Sequence, residues 1–387
     1  MQDRKREQLF RITYFLLYLA LSFSFCLLVP FLISLGYTAT ERGIMLAFGA
    51  IAGMAVQFWI GYLCDKNKTI KKYTHYVYFL YSLITVLLYL TDFHNLAVHI
   101  LLVGTMQIFF RVSIGLVDSW VLESSEECKE NYGSMRAFGS LGWVVGSYLV
   151  SLMVTDCGYK PIGIVFTVVV FLNYLIGRNI ADAQKQENTK IDLQDVQVLF
   201  KNKLYILLIL ILFGVFMMQS SLDVTIVDKL SVLNASAKQV SYYWMVTGIV
   251  EIPLFFVGNR LAKKYGYTEL LIVSIAIYGL RFVLYGLSTT ITQMMLTSLL
   301  QFLSFPIIQV VSKQMVDQQS PANLKSCGQL IGLALYNCTS ALCAPLMAGY
   351  LEDTFNIDVA CFVIGSFALF SILLAFVYRQ SDKKSKR

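Results

Sequence analysis

Residues Ala181–Gln197, ADAQKQENTKIDLQDVQ, form the longest polar stretch of a 387-residue chain that is 57% hydrophobic and only 14% charged. A soluble domain of this size carries roughly a quarter of its residues as charges. On both sides of the stretch the sequence is apolar almost throughout, so no sizeable soluble domain is left over and the chain is polytopic in a membrane. A spanning helix needs about 20 mainly apolar residues. Six segments of that kind precede the polar stretch: 12–35, 41–63, 73–91, 95–122, 133–155 and 160–178. Six follow it: 203–227, 238–258, 267–287, 290–312, 322–350 and 355–378. They are numbered here as spans 1 to 12.

The basic residues alternate sharply between the two sides. Of the 31 lysines and arginines, twenty-four fall at the N-terminus, the C-terminal tail and the connections on one side. Four (Arg42, Lys160, Lys229 and Lys238) fall in the opposite loops, and three (Arg111, Arg136 and Arg281) lie within spans. By the positive-inside rule both termini and the central connection are cytoplasmic. The expected location is the plasma (inner) membrane, multi-pass. An even split around a central cytoplasmic linker is the pattern of two-bundle secondary transporters. The expected fold is therefore an all-α polytopic membrane protein with twelve transmembrane helices in two six-helix bundles. The bundles run over 1–178 and 203–380, joined by a linker at 179–202 and followed by a basic tail at 381–387. GYLCDKNKTIKK after span 2 and GNRLAKKYG after span 8 echo one another, which favours duplication.

Other classes find little support. The net charge of +7 is explained by topology and does not call for nucleic acid. The three histidines, His75, His94 and His99, lie at span ends without catalytic or ligand spacing, and the eight cysteines show no metal-ligand pattern. No catalytic residues, metal or organic cofactor are expected, and the chain is not read as an enzyme. The opening MQDRKREQLFR followed by about 24 apolar residues is too long for a signal-peptide core and lacks a small-residue cleavage site, so it is read as a retained helix.

Ionisable groups inside a span cost several kcal/mol and usually face a cavity or a partner. Arg111 and Asp118 lie two turns apart on one face of span 4. Asp118, late in span 4, and Arg136, early in span 5, fall at similar depth in antiparallel helices, so they can pair. Glu251 on span 8 and Arg281 on span 9 both sit roughly 16–20 Å from the turn between them, near mid-membrane. A carboxyl there is held between desolvation, which favours its neutral form, and a nearby arginine, which favours its charged form, so it can load and release a proton. The alternative for either set is a permanent structural bridge. Asp223 on span 7 lies nearer the outer face, placed to gate or to pair.

With these residues in place, the chain resembles the major facilitator superfamily over its whole length. GYLCDK (Gly61–Lys66) is similar to that superfamily's loop signature between spans 2 and 3, although Lys68 stands where the signature has a glycine. The resemblance implies a gating role for Asp65, Lys66 and the lysines after them. VDSW (Val117–Trp120) with YGSMRAFGSLGW (Tyr132–Trp143) resembles the oligosaccharide:proton symporters, the lactose permease among them. There an acidic residue late in span 4 and an arginine early in span 5 bind sugar hydroxyls, and a tryptophan two turns on stacks on the sugar ring. The resemblance carries these roles to Asp118, Arg136 and Trp143. WMVTGIVEIPLFFVGNRLAKKYG (Trp244–Gly266) and YGLRFVLYG (Tyr278–Gly286) look like the phenylpropionate permease group, whose span 8 glutamate and span 9 arginine match Glu251 and Arg281. In SLLQFLSFPIIQ (Ser298–Gln309), Gln301 and Ser304 stand where the lactose permease has its proton-coupling histidine and glutamate. Neither titrates usefully, so coupling falls to Glu251 and Asp118, with facilitated diffusion as the alternative.

The expected activity is proton-coupled import of a sugar or glycoside by alternating access, by a single chain in the bilayer. Asp118, Arg136, Trp143, Arg111 and Gln301 would bind substrate, Glu251 and Arg281 would couple protons, and Asp65, Lys66 and Asp223 would gate. The alternative substrate is an aromatic or organic acid or a nucleoside, favoured by Arg111; a drug exporter comes third. Gln107, Gln219, Gln301, Gln309, Asn173 and Asn337 are read as cavity-lining donors or as bonds between helices. Glycines at three- or four-residue steps (Gly49 and Gly53, Gly139, Gly142 and Gly146, Gly328 and Gly332) allow close helix approach. By the resemblance these faces line the contact between bundles; otherwise they serve ordinary tight packing.

Overall fold

A computed structural model describes residues 2–183, 198–321, 328 and 331–385. Each expected span is found as helix over its described residues, of which span 11 lacks 322–327 and 329–330. Among the described residues, ten helices are long and apolar enough to cross a membrane. Ile162–Arg178 is a shorter apolar helix, and Ala237–Tyr265 supplies span 8. Side chains such as Phe79 (69% exposed) and Leu369 (67% exposed) point outward from these helices, an arrangement that only lipid makes favourable. The chain is an all-helical multi-pass membrane protein over its described residues.

Local chemistry explains the boundaries. The Asn95 side chain accepts from the Val98 N–H at the start of span 4 (Leu96–Leu122), and Asn202 accepts from Leu204 and Tyr205 at the start of span 7 (Lys203–Val232). Span 10 opens with a reciprocal cap between Thr290 and Gln293. Span 5 (Tyr132–Cys157) stops at Gly158, whose φ of +71° suits glycine. Span 1 breaks at Cys26–Leu27 between Gln2–Phe25 and Leu28–Ser34, and spans 10 and 11 change pitch. Span 10 passes from Ile291–Ser298 through a tighter turn, Leu299–Leu303, to Phe305–Gln319, and Pro306 removes the N–H that would reach the Phe302 carbonyl. Span 11 widens over Ala334–Cys338 before Thr339–Thr354.

Three of the four cations expected in outer loops lie on helices instead: Arg42, Lys229, and Lys238 in the first turn of Ala237–Tyr265. Arg42 and Lys229 are each 4% exposed. Arg42 donates to the Tyr37 carbonyl at 2.5 Å, and Lys229 pairs with Asp358 and donates to the Gly286 carbonyl at 3.3 Å. A single charge close to the end of an apolar run reads as loop, but the helix includes it where it finds a partner inside the protein.

Tertiary contacts divide the chain into two compact units: Met1–Glu187 with Asn234–Ile252, and Asn188–Leu233 with Pro253–Arg387. Residues 184–197 of the expected 179–202 linker lie outside the described residues. In the first unit, span 5 packs along span 1 and span 2 along span 4. In the second, span 12 packs on spans 7 and 9, and span 11 on span 7. The glycine faces serve these seams. A Cβ on Gly142 would fall on the Phe15 carbonyl, and one on Gly146 on the Ser22 hydroxyl, both in span 1. Gly49 meets Gln107 and Gly104 of span 4, and Gly332 meets Ile209 of span 7. These glycines therefore pack helices within each unit.

Candidate functional site

In the first unit the residues expected to bind substrate gather around span 1 (Gln2–Phe25). Tyr14 and Tyr18 lie one turn apart on its inner face, at 0% and 7% exposure. The Tyr14 hydroxyl donates to Oδ1 of Asp118 at 2.6 Å, a length typical of a hydroxyl on a carboxylate. The Tyr18 ring carries the Arg136 guanidinium, whose Cζ is 4.1 Å from the ring centroid. Shielded from water, such a cation–π contact is worth about 2 kcal/mol. Tyr132 packs edge-on against Tyr14 with centroids 6.4 Å apart. The direct Asp118–Arg136 pair that topology allowed is not formed: each charged group rests on its own tyrosine.

Trp143 lies half-buried two turns along span 5 from Arg136. Phe25 lies beside its indole, centroids 6.4 Å apart, and packs in turn on Phe110 at 5.2 Å. Arg111, also half-buried, runs past Gly53, where a Cβ would sit 3.6 Å from its Cδ. The first unit thus brings together a carboxylate, a guanidinium and an aromatic wall.

Arg281 is fully buried in the second unit. Its Nε donates to the Tyr285 hydroxyl at 2.7 Å, its Nη1 donates to Gln301 Oε1, and its guanidinium lies 5.6 and 5.2 Å from the Tyr278 and Tyr285 ring centroids. The Tyr278 hydroxyl donates to Gln219 at 2.5 Å. Gln301 sits in the tight turn of span 10, just ahead of the break at Ser304. Both irregular spans meet at one ring: Phe216 of span 7 packs on Phe305 at 5.8 Å and on Tyr336 at 4.7 Å. Irregular backbone at membrane depth is tolerated where it is buried in protein or lines a cavity. Glu251 is half-buried on span 8, two residues ahead of Pro253, and is grouped with the first unit.

Lys66 is exposed in the last turn of span 2, while the side chains of Asp65 and Asp223 lie outside the described residues. Among the amides, Asn173 bonds to the Thr13 carbonyl and the Tyr78 hydroxyl, a link between helices.

Sequence reasoning missed a clasp on the side where the polar linker begins. Asp182, just past span 6, accepts from the Ile70 and Lys71 N–H groups, both at 3.0 Å, and from the Thr69 hydroxyl, so it caps span 3. Lys71 Nζ returns to the Arg178 and Ile180 carbonyls at 2.8 and 2.7 Å, and the Trp120 indole donates to the Ala181 carbonyl at 2.9 Å. Burial opposes the Asp182 charge, but the Thr69 hydroxyl and the Lys71, Ala183 and Ile70 N–H groups outweigh it and hold the carboxyl below its ordinary value. The signal was the position of Asp182, a carboxylate placed after one span and able to cap the open start of another.

Comparison with known proteins agrees with this architecture. The uncharacterized transporter YwbF of Bacillus subtilis (strain 168) is 22% identical over 360 residues, 89% of this chain and 87% of its own. The maltose permease of Geobacillus stearothermophilus is 22% identical over 271 residues, 68% of each chain. The probable 3-phenylpropionic acid transporter of Escherichia coli (strain K12) is 21% identical over 310 residues, 77% of this chain and 80% of its own. The crystal structure of a variant of the nucleoside transporter NupG superposes with a TM-score of 0.83 at 14% identity, covering 97% of this chain and 99% of that one, and so shares the fold. The model of the MFS_1 like family matches residues 9–372, and the chain belongs to that family of major facilitator transporters.

Proposed function

We propose that the chain imports a sugar or glycoside across the cell membrane by alternating access, coupled to protons. The observation that carries this reading is the separation of Asp118 and Arg136 in the first unit, with Trp143 two turns away. A carboxylate and a guanidinium held apart offer one acceptor and a fork of donors to vicinal hydroxyls. An indole covers the C–H face of a pyranose ring. The similarity to a maltose permease supports the same class. Proton coupling is assigned to Glu251 and Arg281; both termini are cytoplasmic, and a single chain suffices.

A second reading, transport of an aromatic acid, is favoured by Arg111 and by the similarity to a probable 3-phenylpropionic acid transporter. The test is uptake into proteoliposomes under an inward proton gradient, with maltose, 3-phenylpropionate and uridine as probes. The glycoside reading expects accumulation of maltose that collapses with the gradient. Accumulation of 3-phenylpropionate without competition by maltose replaces it with the second reading. Glu251→Gln is expected to abolish accumulation and keep exchange; unchanged accumulation removes the coupling role.

A further inference from the structure

The carboxylate of Asp118 and the guanidinium of Arg136 lie at similar depth on neighbouring spans and carry opposite charge. Left alone in a medium of low dielectric, such groups close on one another. They do not, because span 1 supplies each with a different partner. Tyr14 takes Oδ1 of Asp118 at 2.6 Å, and Tyr18, four residues on, lies beneath the Arg136 guanidinium at 4.1 Å. Span 5 is shaped for this. A Cβ at Gly139 would lie 2.8 Å from Tyr18 Cδ2 and 2.9 Å from Arg136 Nη1, so a glycine is what lets guanidinium and ring lie together at that turn. Both tyrosines are buried, so their rings are fixed and the two rests are held in register by one turn of helix.

We propose that Tyr14 and Tyr18 are positioning residues that keep Asp118 and Arg136 open as separate acceptor and donor, and thereby set the site for a neutral polyhydroxylated ligand. A closed ion pair would have to be broken by every incoming substrate, and hydroxyls return little for breaking it. The opened pair costs the ligand nothing to separate. It also keeps a negative group in the site, which disfavours a carboxylate ligand over a neutral one. The substrate class in this inference rests on the glycoside reading above; the roles of the two tyrosines rest on the geometry alone.

The experiment uses the full-length chain in proteoliposomes and has two arms. The first needs no substrate. Modification of Arg136 by phenylglyoxal is followed by peptide mass spectrometry in the unaltered chain, in Tyr14→Phe and in Tyr18→Leu. Tyr18→Leu uncovers the guanidinium and is expected to speed modification several-fold. Tyr14→Phe frees Asp118 to close on Arg136 and is expected to slow it several-fold. Unchanged rates in both overturn the proposal, whatever the substrate proves to be.

The second arm measures maltose exchange. Tyr14→Phe is expected to raise KM about tenfold while the maximal rate stays within about twofold. In a cycle with Asp118→Asn, the Tyr14 substitution is expected to add nothing, because it acts through that carboxylate. Full additivity overturns the positioning role. If the unaltered chain neither exchanges nor binds maltose, the glycoside reading and the ligand class fall with it, and the labelling arm alone decides the roles of the tyrosines.

Discussion

Asp182 accepts the backbone N–H of Ile70 at 3.0 Å, so the chain leaving span 6 caps the helix that begins span 3. Three further donors (the Thr69 hydroxyl and the Lys71 and Ala183 N–H groups) converge on the same carboxylate. Replacing a side-chain cap by alanine costs about 1–2 kcal/mol. Asp182→Ala is therefore expected to lower Tm in detergent by a few degrees at pH 7. The carboxyl is held below its ordinary value in the folded chain, so its contribution is complete above the unfolded value near 4 and fades as pH falls through the folded one. The difference in Tm between Asp182→Asn and the unaltered chain is expected to shrink as the pH is lowered below the unfolded value near 4. A gap that stays constant with pH would show that the charge contributes nothing.

The buried pair of Lys229 and Asp358 predicts an asymmetry. The Lys229 side chain is 5% exposed and that of Asp358 is 47% exposed. Removing the partner of a fully buried charge costs roughly 3–5 kcal/mol, reduced here by solvent at the half-exposed Asp358, whereas removing the buried charge itself costs less. Asp358→Asn is therefore expected to destabilise more than Lys229→Met. The relative exposure decides this order, and thermal unfolding of the two variants checks it.

Span 5 approaches span 1 so closely that no side chain fits between them at two positions. Gly142→Ala places a methyl group on the Phe15 carbonyl, a backbone atom that cannot step aside. Gly61→Ala meets nothing within 4 Å. The first is expected to destabilise by about 2–3 kcal/mol or to prevent folding, the second to change stability by less than about 0.5 kcal/mol. Similar expression and Tm for both would refute the seam.

Arg281 holds Gln301 and Tyr285 through different nitrogens of its fork. Lysine carries the charge but not the fork. Arg281→Lys is expected to reduce transport at least tenfold, while Gln301→Glu, which keeps an acceptor for Nη1, retains folding. Wild-type transport by Arg281→Lys would show that only the charge matters there.

The twelve spans were legible because apolar runs of this length have no other stable home, and the broken span 10 left its mark in SLLQFLSFPIIQ through Pro306. Asp118 and Arg136 stood out because charges within a span are rare and carry their own warning, and Trp143 was singled out by the resemblance alone. Tyr14 and Tyr18 were not. They are two of 23 tyrosines, and nothing in a tyrosine's neighbours says whether its hydroxyl meets lipid headgroups or a carboxylate 104 residues away. Lys229 was misplaced because its partner, Asp358, comes 129 residues later. Asp182 was passed over because a carboxylate at the edge of a polar linker resembles every other linker charge until span 3 arrives beside it.

The glycine seam between spans 1 and 5 has a mechanical meaning. Side chains between helices act as cushions: they change rotamer and absorb small rotations. At Gly142 and Gly146 the cushions are absent, and backbone meets backbone or a single hydroxyl. The two helices then behave as one stiff plank, with Tyr14 and Tyr18 on one edge and Arg136 and Trp143 on the other. Any tilt applied to span 5 reaches the tyrosines without slack, so the two tyrosines, the guanidinium and the indole travel together, while Asp118 on span 4 follows only through its bond to Tyr14.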